Sequence, residues 1–185
     1  QLLYLSGSLS NHRRFLIHSP LSSYQVIHKK LALFPRSTEV FAELYAKEVG
    51  RCFWLDSSRA EPGLSRFSFM GAVGGDLSMI LKYNLDNNSV VITTFKDGKA
   101  AEAHQSLGGD TLFEYLQHLL AKYRTQPTVD LPFDFEGGLI GYLGYEMRHQ
   151  CGSHIADVVR HETPDAAYFF VDRFLAFDFL EECIY

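Results

Sequence analysis

Two short runs carry most of the side chains that could do chemistry. Phe53-Trp54-Leu55-Asp56-Ser57-Ser58 ends an apolar stretch in a carboxylate and two hydroxyls, and Ser65-Arg66-Phe67-Ser68-Phe69-Met70-Gly71 follows it closely. A guanidinium is a planar fork that matches a carboxylate, either that of Asp56 or that of a small ligand. Residue chemistry alone favours an internal ion pair and turn bonds here, because such pairs are common structural features. Gly137-Gly138-Leu139-Ile140-Gly141-Tyr142-Leu143-Gly144-Tyr145 places four glycines in an apolar run. Glycine weakens a strand, so close approach of another backbone or a ligand should require it. A phosphate cradle would need a helix N-terminus after the glycines, and these lie within the apolar run, so sheet packing is the preferred reading. His149, Cys151, His154 and His161 fit no zinc spacing and read as exposed loop residues. The carboxylates Glu181-Glu182 and those between Asp130 and Glu136 form no acid–base pair, since strand neighbours point to opposite faces. Nucleotide fingerprints, phosphate loops, zincin motifs and nucleophile elbows are missing from the sequence.

The elements that must position these residues are mostly strands. Residues 1–23 mix Ser, Asn and His with apolar residues and read as a linker or arm, and 24–31 as a first strand. Ser37 or Thr38 can cap a helix whose stripe is Val40, Phe41, Leu44 and Tyr45, with Gly50 ending it in the left-handed conformation. Strands are expected at 52–55, 66–73, 78–85 and 89–95, the last two forming a hairpin through Asp86-Asn87-Asn88, with a further turn at 96–99. Asp110 is the expected cap of a second helix, with Leu112, Leu116, Leu119, Leu120 and Tyr123 on its buried face. Strands at 137–145, 167–171 and 174–180 complete the set. Long strands with two good helices predict an α+β domain on a largely antiparallel sheet.

Composition narrows the function classes. The chain has 185 residues, is 46% hydrophobic and carries a net charge of −5, so it can build a core and lacks the basic face of a nucleic-acid binder. The basic runs His12-Arg13-Arg14 and His28-Lys29-Lys30 are short and read as solvated surface. Three widely spaced cysteines give no disulfide framework and fit a reducing compartment, with Cys52 a small core residue. No run approaches the ~18 apolar residues of a membrane span. The missing initial methionine, and a last run that stops inside an expected strand, suggest a piece of a longer protein.

The two runs around Asp56 and Arg66, together with Leu131-Pro132-Phe133, the glycine-rich strand and Thr163-Pro164-Asp165-Ala166, resemble the N-terminal domain of the chorismate-aminating synthases. That family includes anthranilate synthase component I and the synthase component of aminodeoxychorismate synthase. The resemblance covers residues 24–185, with several motifs in the same order. Anthranilate synthases usually carry Leu-Leu-Glu-Ser where this chain has Trp54-Leu55-Asp56-Ser57, so the resemblance is strongest to the fused folate-branch enzymes of plants and fungi.

The resemblance implies replacement of the chorismate 4-hydroxyl by ammonia released from glutamine by a glutaminase domain or subunit, on the way to p-aminobenzoate and folate. It implies that Mg²⁺ and chorismate are held by a C-terminal domain outside this chain, so that these residues are structural or regulatory and carry no catalytic group. It further implies a tryptophan-type pocket to which this half contributes Ser57, Leu64, Ser65, Arg66 and Phe67. No nucleic acid or membrane is expected as a partner. The compartment would be the plastid in a plant and the cytoplasm otherwise. The alternatives are anthranilate synthase component I and a non-catalytic ligand-binding domain derived from the family.

Overall fold

The computed structural model describes residues 3–4, 24–57, 65–128, 130–152 and 162–185. The described strands form two antiparallel sheets, as expected of the α+β class. The larger contains β1 (Leu3–Tyr4), β7 (Gly138–Leu143), β8 (Ala166–Val171), β4 (Met79–Asn84), β5 (Ser89–Lys96) and β6 (Lys99–Ser106), in that spatial order. The smaller contains β10 (Cys183–Ile184), β9 (Leu175–Asp178), β3 (Phe67–Ala72) and β2 (Cys52–Leu55).

Strand alternation explains the layers. Leu139 pairs with Phe170 and Leu143 with Ala166, and these residues face helix α2 (Leu112–Lys122) in one cluster with Leu81, Tyr83, Val90, Leu112 and Leu116. Their strand neighbours point the other way. Ile140 and Val171 meet Phe53 and Phe135 between the sheets, with Leu55, Phe69, Phe169 and Phe174 at the margin. On its far side the smaller sheet packs Met70, Phe177 and Trp54 against Val40, Phe41 and Tyr45 of helix α1 (Ser37–Leu44) and its end. The order of layers is therefore helix, small sheet, large sheet, helix.

Several local expectations change. Leu3–Tyr4, inside the expected arm, pairs with Gly141 and Ile140 of β7. Residues 24–31 form no strand: only Tyr24 and Leu31 make isolated bridges, and Ile27 between them is 92% exposed, so no apolar face is buried there. Helix α1 starts after Arg36 without a side-chain cap, which puts Ser37 inside the helix. It ends at Leu44, which is exposed, and Gly50 takes its left-handed conformation (φ +73°) in the following turn.

The cap of α2 is Thr111 rather than Asp110. Its hydroxyl accepts the Glu114 N–H while the Glu114 carboxylate accepts the Thr111 N–H, a closed capping box. Strand β6 has no counterpart in the apolar pattern because all its residues are exposed. Residues 145–151 form a 3-10 helix, not a polar loop. Gln150 anchors it, donating to the Tyr83 hydroxyl at 2.7 Å and accepting the Leu112 N–H at 3.0 Å. Burial pushes the Tyr83 phenol up to about 12, so it stays a neutral donor, here to Asn88 Oδ1. His149 is mostly buried in this segment, whereas Cys151 is exposed as expected, and His154 and His161 lie outside the described residues.

Candidate functional site

The runs that carry the candidate side chains meet at one rim of the smaller sheet. Strands β2 and β3 pair antiparallel, Leu55 facing Phe69, so the end of one run lies beside the start of the other. Ser57 fastens them: its hydroxyl donates to the Phe67 carbonyl at 2.7 Å and its N–H donates to Ser68 Oγ at 2.8 Å. The Ser68 hydroxyl donates to Asp56 Oδ1 at 2.9 Å. Asp56 is thus a hydrogen-bond acceptor for a buried serine.

Arg66 does not pair with Asp56. Its Nε and Nη2 donate to the two oxygens of Asp178 at 2.8 and 2.6 Å. The pairing follows from register, since β3 lies next to β9 with Phe67 opposite Asp178. Asp178 is completely buried. It also accepts the N–H groups of Leu180 and Glu181 at 3.0 and 3.2 Å, which turns the chain after β9. Burial pushes the Asp178 carboxyl up, but Arg66 and these two amides outweigh it and hold the group below the usual carboxylate range. The guanidinium fork is spent on this partner, so Arg66 is a positioning residue. Its plane also lies over the Phe67 ring, 4.8 Å from the centroid.

Phe67 opens onto an aromatic wall. Phe133 meets Phe67 edge-to-face at 5.3 Å, Phe69 at 5.5 Å and Tyr185 at 5.7 Å. Lys30 stands over the Tyr185 ring at 5.6 Å and within 3.6 Å of a Glu181 carboxylate oxygen. Of the sequence-predicted residues, Ser57, Ser65, Arg66 and Phe67 are brought to this rim, and Leu64 lies outside the described residues. Sequence reasoning missed Asp178, Ser68, Phe133 and Tyr185. The signal for Asp178 was available: an aspartate inside the apolar run Leu175-Ala176-Phe177-Asp178-Phe179 must find a cationic partner if the run is buried. Two surface grooves lie elsewhere, one lined by Tyr24–His28 and Gln126–Thr128, the other by Phe34–Thr38 with Phe177 and Phe179.

Chemically, the rim offers hydroxyls, backbone groups and aromatic faces. The carboxylate–guanidinium pair of Asp178 and Arg66 is closed on itself. Two glycines of this run serve packing, as expected: a Cβ on Gly141 of β7 would come within 2.7 Å of Tyr168 Cα, and one on Gly144, just after the strand, within 2.7 Å of the Asp165 carbonyl oxygen.

No family model matches the chain. Among curated proteins, an aminodeoxychorismate synthase of Streptomyces pristinaespiralis is 41% identical over 160 residues, which is 86% of this chain and 21% of the relative. The chloroplastic aminodeoxychorismate synthase of Arabidopsis thaliana is 34% identical over 79% of this chain and 17% of its own length. A putative aminodeoxychorismate synthase of Schizosaccharomyces pombe is 31% identical over 69% of the chain and 17% of its own. The chain belongs to the aminodeoxychorismate synthase family. It spans about a fifth of the length of these family members. These relatives, from a bacterium, a plant and a fungus, share one name, in keeping with the resemblance carried by Trp54 and Asp56. No helix of the described residues is long and apolar enough to cross a membrane.

Proposed function

We propose that the protein containing this chain is a 4-amino-4-deoxychorismate synthase, which aminates chorismate with glutamine-derived ammonia for p-aminobenzoate and folate synthesis. The observation that carries the reading is the 41% identity to a family member along 86% of the chain. In this reading residues 24–185 form the supporting N-terminal part, and a glutaminase and a chorismate-binding domain are its partners. Mg²⁺ would supply Lewis-acid chemistry to chorismate from the chorismate-binding domain outside this chain, as the family resemblance implies. In a plant source the compartment would be the plastid, as the name of the Arabidopsis relative says of that protein; in other sources it would be the cytoplasm.

The test is a product assay on the full-length protein with chorismate, glutamine and Mg²⁺. The expected result is p-aminobenzoate that appears only when an aminodeoxychorismate lyase is added. Anthranilate formed without the lyase would reassign the protein to tryptophan synthesis.

The rim is the part of the regulatory reading that this chain can carry. A tryptophan-type ligand would rest on Phe67 and Phe133, with its charged end at the hydroxyls and backbone of Ser57, Leu64 and Ser65. Arg66 would act from behind, through the Phe67 backbone, because Asp178 occupies its fork. Titration calorimetry of the full-length protein with tryptophan should show binding. Phe67→Ala should weaken it by roughly tenfold or more, the scale of one lost aromatic contact. Undiminished binding in that variant would place the ligand elsewhere.

A further inference from the structure

Among the described residues, strand β6 is the outer edge of the larger sheet, and all its eight residues are exposed. Among the described residues its ladder partner is β5 alone, in unbroken register from Ser89↔Ser106 to Lys96↔Lys99. Edge strands normally carry a defence against pairing with another chain: a proline, a bulge, a run of lysines or short length. β6 has no bulge and no proline, and its central residues are Ala100, Ala101, Glu102, Ala103 and His104.

Register decides which amides are open. The hairpin closes at Lys96↔Lys99 around Asp97 and Gly98, both at positive φ (+50° and +73°), as a tight two-residue turn requires. The closing pair is hydrogen-bonded, and in an antiparallel ladder such pairs alternate with non-bonded ones. Leu107 obeys the same parity, donating its N–H to the Asn88 carbonyl at 2.9 Å. Odd-numbered residues of β6 therefore face β5, and Ala100, Glu102, His104 and Ser106 direct N–H and C=O groups outward.

We propose that this edge pairs with the same edge of a second copy of the chain, antiparallel about a two-fold axis at Ala103. In that register Glu102 lies opposite the partner's His104, and His104 opposite the partner's Glu102. Ala100 lies opposite the partner's Ser106. Each outward pair exchanges two backbone hydrogen bonds, and the carboxylate accepts from an imidazole N–H across the seam. The registers two residues away place Glu102 against Glu102 or His104 against His104, and like residues facing each other across a ladder are disfavoured. Glu102 keeps its intramolecular bond from Thr93 Oγ1 through one oxygen, leaving the other for the seam. On the opposite face the seam brings together Ala101, Ala103 and Gln105, small or uncharged side chains that let the strands approach. The occupant is a second copy because the pattern is complementary to itself, as an isologous interface must be.

The test is the molar mass of the full-length protein by light scattering as its concentration rises through the micromolar range. A monomer–dimer equilibrium is expected. His104→Pro should raise the dimer dissociation constant at least about tenfold, because proline removes an outward amide while leaving the β5–β6 ladder intact. His104→Glu should do the same by placing two carboxylates face to face at both symmetry-related positions. The double variant Glu102→His with His104→Glu should restore the dimer, because it only exchanges the two sides. Circular dichroism checks that each variant keeps its fold. A protein that stays monomeric throughout, or a dimer that none of these variants weakens, would overturn the proposal.

Discussion

Replacing Gly141 by alanine should cost the domain about 3 kcal/mol or more, a large part of the stability of an ordinary domain. Gly141 sits mid-strand in β7, opposite Tyr168 on one side and Leu3 on the other. An added methyl would fall 2.7 Å from both Cα and Cδ1 of Tyr168 and would overlap the carbonyl oxygen of Ala167. The obstacle is backbone of the neighbouring strand, so no rotamer change relieves it. Relief requires opening the β7–β8 ladder, which also disturbs Leu139 and Phe170 over α2. Gly109→Ala is the control. Its Cβ would meet nothing within 4 Å and its φ is not in the left-handed region, so its effect should stay within about 0.5 kcal/mol. Urea unfolding followed by circular dichroism measures both. Equal midpoints for the two variants would show that β7 is not packed against β8 as described.

Arg66→Met should be strongly destabilising at neutral pH, and the loss should shrink as the pH is lowered. In the native protein the Asp178 carboxyl lies below its usual range, so its contribution is present above the unfolded-state value of about 3.9 and is lost as pH falls through the lower native value. Removing Arg66 leaves two backbone N–H groups to compensate a completely buried carboxylate. Burial then dominates and the native pKa rises above the unfolded one. The sign reverses: the variant gains stability relative to its own neutral state as acid protonates Asp178. Unfolding midpoints at pH 7 and pH 4.5 should therefore converge between wild type and variant. Arg66→Met combined with Asp178→Leu should recover much of the loss at pH 7, because an apolar pair of similar size needs no counter-charge. A variant whose deficit is the same at both pH values would show that Asp178 is not the group that Arg66 neutralises.

These expectations rest on features the sequence disclosed unevenly. The hairpin of β4 and β5 and the stripe of α2 were legible because each combines a clean periodicity with turn or cap residues. The rim was legible in part. Ser57, Arg66 and Phe67 stand in two runs that adjacent antiparallel strands bring together, and a short separation in sequence suffices for that. Asp178 was not connected with Arg66 because its neighbourhood depends on β9 pairing with β3, a long-range choice that local pattern does not encode. β6 escaped for the opposite reason: a strand exposed on all its residues has no hydrophobic alternation, and only the backbone ladder of β5 defines it. The stretch 24–31 looked like a strand from its loose alternation, but it makes only the isolated bridges of Tyr24 and Leu31 and leaves Ile27 exposed.

We propose that the protein containing this chain serves the folate branch rather than tryptophan synthesis. Complementation tests it most directly. The full-length gene, with a glutaminase gene if the two are separate, is placed in a strain that cannot make aminodeoxychorismate, and growth is measured without p-aminobenzoate. Growth is expected there, with no rescue of a strain lacking anthranilate synthase on medium without tryptophan. Rescue of the second strain and failure in the first would contradict it.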